Sequence, residues 1–205
     1  MNFDAVNLSV VASETGAIGI GSLDGHVELT PNAGRDQPVV TFSVAAHPVS
    51  LPDSVHFGLG PEVTEVAVDG VVNGPWPAAG REPAARATSW RDGGGSLELR
   101  RLAMTWGQAR LEATATLALD EDLQPMGAGT SKIVGYGAAL DALAANAILS
   151  PSAAKAAKAV LSLAANTPGD GQPEEVEVPL TLQFRTLSVR QVPLARLPEL
   201  AWPEH

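Results

Sequence analysis

The sequence predicts a mainly β protein of the α+β class, built on one curved, mostly antiparallel sheet that is open or half-barrel-like. Many segments alternate apolar and polar residues, which is typical of strands that bury one face. The 205 residues include 20 glycines and 16 prolines, which suits many short strands joined by turns. Residues 137–165 differ, because their apolar residues recur at helical spacing. We expect them to form a helical hairpin packed on the sheet.

The N-terminal half is predicted to contain four strands separated by loops. Alternating or β-branched runs place these strands at residues 6–12, 18–30, 39–46 and 63–72. His47-Pro48 is expected to end the third strand, and the prolines and glycines of residues 51–61 indicate an irregular loop. Residues 78–89 mix alanine, arginine, proline and glutamate, and could be a short helix or a crossover segment.

The stretch from Trp90 to Ala142 contains the clearest strand patterns. Within residues 96–106 the apolar residues change parity at Arg100-Arg101, which predicts a β-bulge or a sharp twist there. Residues 111–119 alternate without error. A short polar turn separates the two strands, so we expect them to pair as a hairpin.

The rest of the chain is predicted to return to strands after the helical hairpin. Tyr136 begins the first helix of the hairpin, and Ser150-Pro151 begins the second, with an N-cap serine and a proline at the first helical position. The tail from Pro193 to Leu200 is apolar and extended. One further strand is expected before the hairpin, over residues 126–134. Another is expected after it, over residues 176–184, and a turn near Arg185-Thr186 then leads to residues 187–189. We expect one β-rich domain over residues 1–205, with residues 137–165 as its helical insertion.

Composition and charge exclude several classes of function. The net charge is −10, with 23 acidic against 13 basic residues, so no nucleic-acid partner is expected. The absence of cysteine excludes disulfides and thiolate chemistry. No apolar run is long enough to span a membrane, and the segment Met1–Asp4 lacks the features of a signal peptide. Because strand alternation begins almost at Met1, we expect a fragment of a longer protein; the alternative is a complete cytoplasmic protein.

No residue pattern in the sequence predicts an active site, a cofactor or a metal site. Asp120-Glu121-Asp122 lacks the spacing of a calcium loop and indicates an acidic turn. Gly93-Gly94-Gly95 lacks the context of a nucleotide-binding loop and indicates a turn. There is no Gly-x-Ser-x-Gly elbow. The four histidines show no metal-ligand spacing: His26, His47, His56 and His205. We therefore expect a protein that is not an enzyme and that needs no cofactor and no metal.

One apolar strand face remains as the candidate binding surface. The chain has only 4% aromatic residues, so leucine, valine and alanine must fill this face. Such a face needs a cover, which could be the two helices, a bound acyl chain or a protein partner. The tryptophans at strand ends are either packing residues at the sheet edge or anchors for a ligand. The residues expected to form the hydrophobic face are Leu111, Ala113, Ala115, Leu117, Leu119, Val178, Leu180 and Leu182.

The central stretch also carries a family resemblance. The segments Trp90-Arg91-Asp92-Gly93-Gly94, Leu117-Ala118-Leu119-Asp120, Leu123-Gln124-Pro125-Met126-Gly127 and Pro193-Leu194-Ala195-Arg196-Leu197-Pro198 resemble DUF2125, a proteobacterial domain family of unknown function. The resemblance extends from about Gly60 onward. It implies a periplasmic, cell-envelope location, with membrane association only through a segment absent from this chain. Two turns depart from the family pattern: Phe184-Arg185-Thr186 replaces an Asp-Gly turn, and Gln108 replaces proline after Trp106-Gly107.

The strand-turn-strand unit is more distantly similar to the repeats of AsmA-like envelope proteins. That resemblance implies an extended curved sheet with an apolar groove linked to lipid movement. The expected function is thus a non-catalytic envelope module that binds or helps to move a lipid or another hydrophobic ligand. The alternative is a structural or protein-interaction module of an envelope complex, with no small ligand. Fold-level similarity alone does not decide between them.

Overall fold

The fold is known from a computed structural model, which describes residues 1–12, 16–30, 33, 37–52, 58–75, 82–147, 149–165, 175–190 and 192–202. Its main element is one sheet of ten strands in which each strand pairs antiparallel with the next. The strands are β1 (Asn2–Ala12), β2 (Gly16–Leu29), β3 (Val40–Ser50), β4 (Glu62–Asn73), β5 (Ser96–Trp106), β6 (Ala109–Leu119), β7 (Pro125–Val134), β8 (Glu175–Gln183), β9 (Thr186–Val189) and β10 (Val192–Arg196).

The sheet is open, because β1 and β10 lie at its opposite edges and do not pair with each other. Every connection between the described strands joins neighbours, so the topology is a simple meander. The prediction of a mostly antiparallel, open sheet is confirmed.

Three helices interrupt the meander. α1 (Pro83–Asp92) lies between β4 and β5, while α2 (Tyr136–Ala145) and α3 (Pro151–Ala164) lie between β7 and β8. The predicted helix start at Ser150 is confirmed, since its Oγ accepts a hydrogen bond of 3.1 Å from the backbone N–H of Ala153. The uncertain segment at residues 78–89 contributes a helix from Pro83 onward; residues 76–81 lie outside the described part of the chain.

The predicted bulge lies at Arg100-Arg101. The register between β5 and β6 shifts between Leu99 and Leu102, and the register between β4 and β5 shifts between Asp69 and Gly70. The extra residue keeps leucines 97, 99 and 102 on the same face despite their change of parity. The parity change in the sequence was therefore sufficient to locate the irregularity.

One predicted strand end was wrong, and the tail forms more regular structure than expected. β3 does not end at His47-Pro48 but continues to Ser50, through a cis peptide bond before Pro48. The ring of Pro48 is accommodated because its neighbour in β2 is Gly21, where an added Cβ would lie 2.7 Å from Pro48 Cδ. The tail predicted only as extended forms the edge strand β10, which pairs with β9.

The sheet curls so that one face lies inside. We call this the inner face and define it by the alternating β6 residues Leu111, Ala113, Ala115, Leu117 and Leu119. One cavity of about 280 Å³ has wall residues from all six strands β5 to β10. Six flat strands spaced about 4.8 Å apart would span about 24 Å, so the strands must curve around the inner face.

The tightest packing lies where the helical hairpin covers the inner face. Val176 and Val178 of β8 are fully buried, and α3 contributes Ala157 and Leu161 to the same cluster. Tyr136, at the start of α2, is also buried there. The predicted helical insertion therefore completes the core at one end of the sheet.

Candidate functional site

Two apolar cavities lie on the inner face, one at each end of β6. The first lies beside α1 and has a volume of about 440 Å³; we call it the α1 cavity. The second lies under the α2–α3 hairpin, with a volume of about 280 Å³, and we call it the hairpin cavity. Leu117 and Leu119 line the α1 cavity, and Leu111 lines the hairpin cavity. One strand thus connects two apolar cavities.

The surface between the two cavities is made of small residues. Ala113 and Ala115 of β6 are half-buried, and the β7 residue opposite Ala115 is Gly129. The next inner-face residue of β7, Gly127, lies opposite Leu117. A rise of about 3.3 Å per residue places Leu111 and Leu117 about 20 Å apart. The inner face therefore has a shallow floor of alanine and glycine between two deeper apolar cavities.

The N-terminal part of the inner face has its glycines covered by aromatic rings instead. The ring of Phe42 covers Gly70, where an added Cβ would lie 2.7 Å from Phe42 Cζ, and the ring of Phe3 covers Gly25 in the same way. Such pairing of an aromatic ring with a cross-strand glycine is a recognised stabilising device in sheets. The atoms nearest to Gly129 are backbone atoms and Ala115 Cβ, so no ring covers this part of the floor so closely.

The eight residues predicted to form the hydrophobic face all lie on the inner face, in three different settings. Leucines 111, 117, 119 and 180 line the cavities, and Ala113 and Ala115 form the floor. Val178 is fully buried and Leu182 is 9% exposed. The last two residues are packed in the core, so the first six are the better candidates for ligand contact.

The three described tryptophans line the two cavities. Trp90 of α1 and Trp202 of the C-terminal tail line the α1 cavity, and Trp106 at the end of β5 lines the hairpin cavity. Their indole N–H groups donate to backbone oxygens of Asn73 at 2.9 Å, Leu123 at 3.2 Å and Gly60 at 2.9 Å, in the order Trp90, Trp202, Trp106. The rings are thereby held in place as walls of the cavities. Trp76 lies outside the described residues.

A C-terminal strap, residues 197–202, runs along the turns beside the α1 cavity and was not predicted. The side chain of Gln124 holds it: Oε1 accepts from the backbone N–H of Leu200 at 2.8 Å, and Nε2 donates to the carbonyl oxygen of Leu200 at 3.2 Å. The strap thereby brings Trp202 into the cavity wall. The only hint in the sequence was the apolar character of the tail.

The hairpin cavity contains one orphaned polar atom. Ser131 of β7 is 1% exposed, and its hydroxyl has no hydrogen-bond partner within the described part of the chain. Its register neighbours Ala113 and Val178 are apolar. A buried hydroxyl without a partner costs about 1–3 kcal/mol. No sequence pattern indicates this site, because an isolated serine in a strand is common.

The outer face of the sheet carries paired charges. Lys132 Nζ lies 2.8 Å from a carboxylate oxygen of Glu175. This hydrogen bond, followed by the negative charges of Glu175, Glu112 and Glu177, raises the pKa of Lys132 above its usual value. Arg101 lies 3.6 Å from Glu65 across the strands. These charged residues therefore keep their part of the outer face in contact with water.

The acidic turn has a structural role. Asp120 Oδ1 accepts hydrogen bonds from the backbone N–H groups of Asp122 at 3.0 Å and Gln124 at 2.8 Å. This places the Gln124 side chain where it meets the strap.

No group of three or more histidines or acidic residues in the described ranges is placed to hold a metal ion. No described helix is long and apolar enough to cross a membrane.

Comparison with known proteins identifies a family but no characterised relative. A family model described as an uncharacterized protein conserved in bacteria, DUF2125, matches residues 1–198. No curated protein and no solved structure matches the chain. The family model therefore also matches the residues before Gly60, although the resemblance was evident in the sequence only from about Gly60 onward. The more distant kinship with AsmA-like proteins stays a prediction.

Proposed function

The chain belongs to the DUF2125 family of uncharacterized bacterial proteins, and we propose that it is a non-catalytic module of the cell envelope that holds an acyl chain along its inner face. The observation that carries this proposal is the pair of apolar cavities connected by the Ala113–Ala115 floor. The periplasmic location is part of the proposal and rests on the resemblance of the sequence to its family.

The dimensions of the inner face suit one chain. The cavities lie about 20 Å apart along β6. The hydrocarbon core of a bilayer is about 30 Å thick, so one leaflet contributes chains of about 15 Å. An extended acyl chain of this length would therefore cover most of the distance from one cavity to the other. Burial of this chain would release water from the inner face, which α1 and the α2–α3 hairpin cover only in part.

The burial pattern also supports a groove rather than a closed core. On β6 the inner residues are half-buried, whereas on β8 Val176 and Val178 are fully buried by the hairpin. Both strands use the same face of the same sheet. The difference arises because the hairpin covers one end of the face and α1 covers the other, which leaves the middle uncovered.

A matched pair of variants tests the proposal. Leu117→Glu places a charge in the α1 cavity, where it can reach water, so we expect a folded protein that no longer binds lipid. Val178→Glu places the same charge in the closed core, so we expect loss of folding. Native mass spectrometry after incubation with a bacterial lipid extract measures binding, and circular dichroism measures folding. Unfolding of both variants, or a wild-type protein that carries no lipid, would contradict the proposal.

A second candidate function is a structural or protein-interaction module. The observation that favours it is the edge strand β1, which has 11 residues and pairs only with β2 among the described strands. Val6 on this edge is 70% exposed. A long edge strand without lysine or proline can accept another strand. Hydrogen exchange of the β1 amides, compared with and without an envelope extract, tests this function; equal exchange in both would rule it out.

A further inference from the structure

Ser131 is the feature of the hairpin cavity that the proposed function leaves unexplained. An acyl chain needs only apolar walls, and alanine would provide one at this position at no polar cost. Instead the structure has a hydroxyl that is 1% exposed and has no partner among the described residues, in a cavity lined otherwise mainly by apolar groups. A buried polar atom without a partner is expected to gain one from a ligand or a water.

The size of the cavity limits what the partner can be. About 280 Å³ lies at the lower limit of ligand-binding pockets, so a whole lipid does not fit. The cavity does fit the end of a chain whose remainder continues over the Ala113–Ala115 floor toward the α1 cavity. The chain end at Ser131 must therefore contain the polar atom.

The chemistry of the hydroxyl points to an acceptor. Arg110 borders the cavity but alternates with the inner-face residues of β6, so its guanidinium is directed to the other face of the sheet. The Ser131 hydroxyl can donate to an acceptor on the ligand. The ligand group that satisfies Ser131 is therefore an oxygen acceptor, for which a carbonyl is the simplest choice at the end of an acyl chain.

We propose that the hairpin cavity binds the carbonyl end of an acyl chain, with Ser131 Oγ–H donating a hydrogen bond to the carbonyl oxygen. This rests on the proposed function and adds the direction of the chain: the carbonyl lies under the α2–α3 hairpin, and the methyl end points toward Leu117 and Leu119. The carbonyl can belong to an ester or to a free fatty acid. Both present the same acceptor to Ser131.

The test compares ligands of equal chain length that differ only in the ester group. Methyl dodecanoate and n-tetradecane have chains of equal length, and both are titrated against a fluorescent apolar probe bound to the full chain. Ser131→Ala is expected to weaken binding of the ester about fivefold, the loss of one neutral hydrogen bond, and to leave binding of the alkane unchanged. Ser188→Ala, on β9, is the matched control and should change neither.

A vibrational measurement separates hydrogen bonding from a packing effect. The carbonyl stretch of bound, carbonyl-labelled methyl dodecanoate should lie at lower frequency in the wild type than in Ser131→Ala. Dodecanoate serves as the third ligand: tighter binding than that of the ester assigns the carbonyl to a free fatty acid, and weaker binding assigns it to an ester.

The outcomes distinguish this inference from the proposed function. If the ester and the alkane both bind but Ser131→Ala affects neither affinity nor carbonyl frequency, the inference is wrong and the acyl groove stands. If neither compound binds to the wild type, the proposed function itself fails. Melting curves provide the folding control, and Ser131→Ala should melt no lower than the wild type, because it removes an unpaired buried hydroxyl.

Discussion

At the scale of single residues, the turn between β8 and β9 shows how a departure from the family pattern affects the backbone. Phe184 and Arg185 have φ angles of 50° and 62°, the left-handed conformation of the central residues in a two-residue hairpin turn. Glycine, asparagine and aspartate adopt this conformation readily, whereas phenylalanine does not. The Asp-Gly expected from the resemblance would suit this geometry, so the turn has kept its shape without its usual residues.

We expect Phe184→Asn to stabilise the protein by about 1 kcal/mol, because it relieves this backbone strain. Phe184 is 83% exposed, so little packing is lost. The free energy of unfolding, measured by urea denaturation, checks the effect. Phe184→Ala is the control, since it removes the ring but keeps the unfavourable conformation. If alanine stabilised the protein as much as asparagine, the exposed ring and not the turn would be the cause.

At the scale of elements, the C-terminal strap and the acidic turn are coupled through Gln124. This side chain is 7% exposed and makes both of its described strap contacts with the backbone of Leu200. We expect Gln124→Ala to cost about 2 kcal/mol, the value of two hydrogen bonds at about 1 kcal/mol each. Urea denaturation measures the loss, and Trp202 emission should shift to longer wavelength as the strap leaves the α1 cavity.

Gln183→Ala is the matched control for the strap, because Gln183 lies on the exposed side of β8. It should change neither stability nor emission. An unchanged emission in Gln124→Ala, together with wild-type stability, would mean that the strap is held by other contacts.

The elements also show which features a sequence can predict. The bulge at Arg100-Arg101 was predictable because it changes the parity of neighbouring leucines, which is a local signal. The start of α3 was predictable from Ser150-Pro151 for the same reason. The contact between Gln124 and Leu200 joins residues 76 positions apart, and neither residue has a local pattern that indicates the other. Long-range contacts of this kind need the fold itself.

At the scale of the whole molecule, the two halves of the sheet differ in how their inner-face glycines are covered. The rings of Phe3 and Phe42 cover glycines in the N-terminal half, whereas Gly129 in the C-terminal half has no ring among its nearest neighbours. Alternation in the sequence predicted which residues share the inner face, including all eight candidate residues. It could not predict that Val178 would be covered by the helical hairpin while Leu117 would line a cavity. Whether an inner-face residue is covered depends on where the helices pack on the sheet, and the periodicity of the helices does not specify that position.

The most direct test of the account is whether an acyl chain occupies the inner face. The measurement is NMR of the methyl-labelled protein with a fatty acid that carries a nitroxide near its methyl end. The account predicts strong line broadening at Leu117 and Leu119, weaker broadening at Leu111, and none at Leu163, an exposed leucine of α3. Equal broadening of Leu163 and Leu117, or no broadening at all, would contradict it.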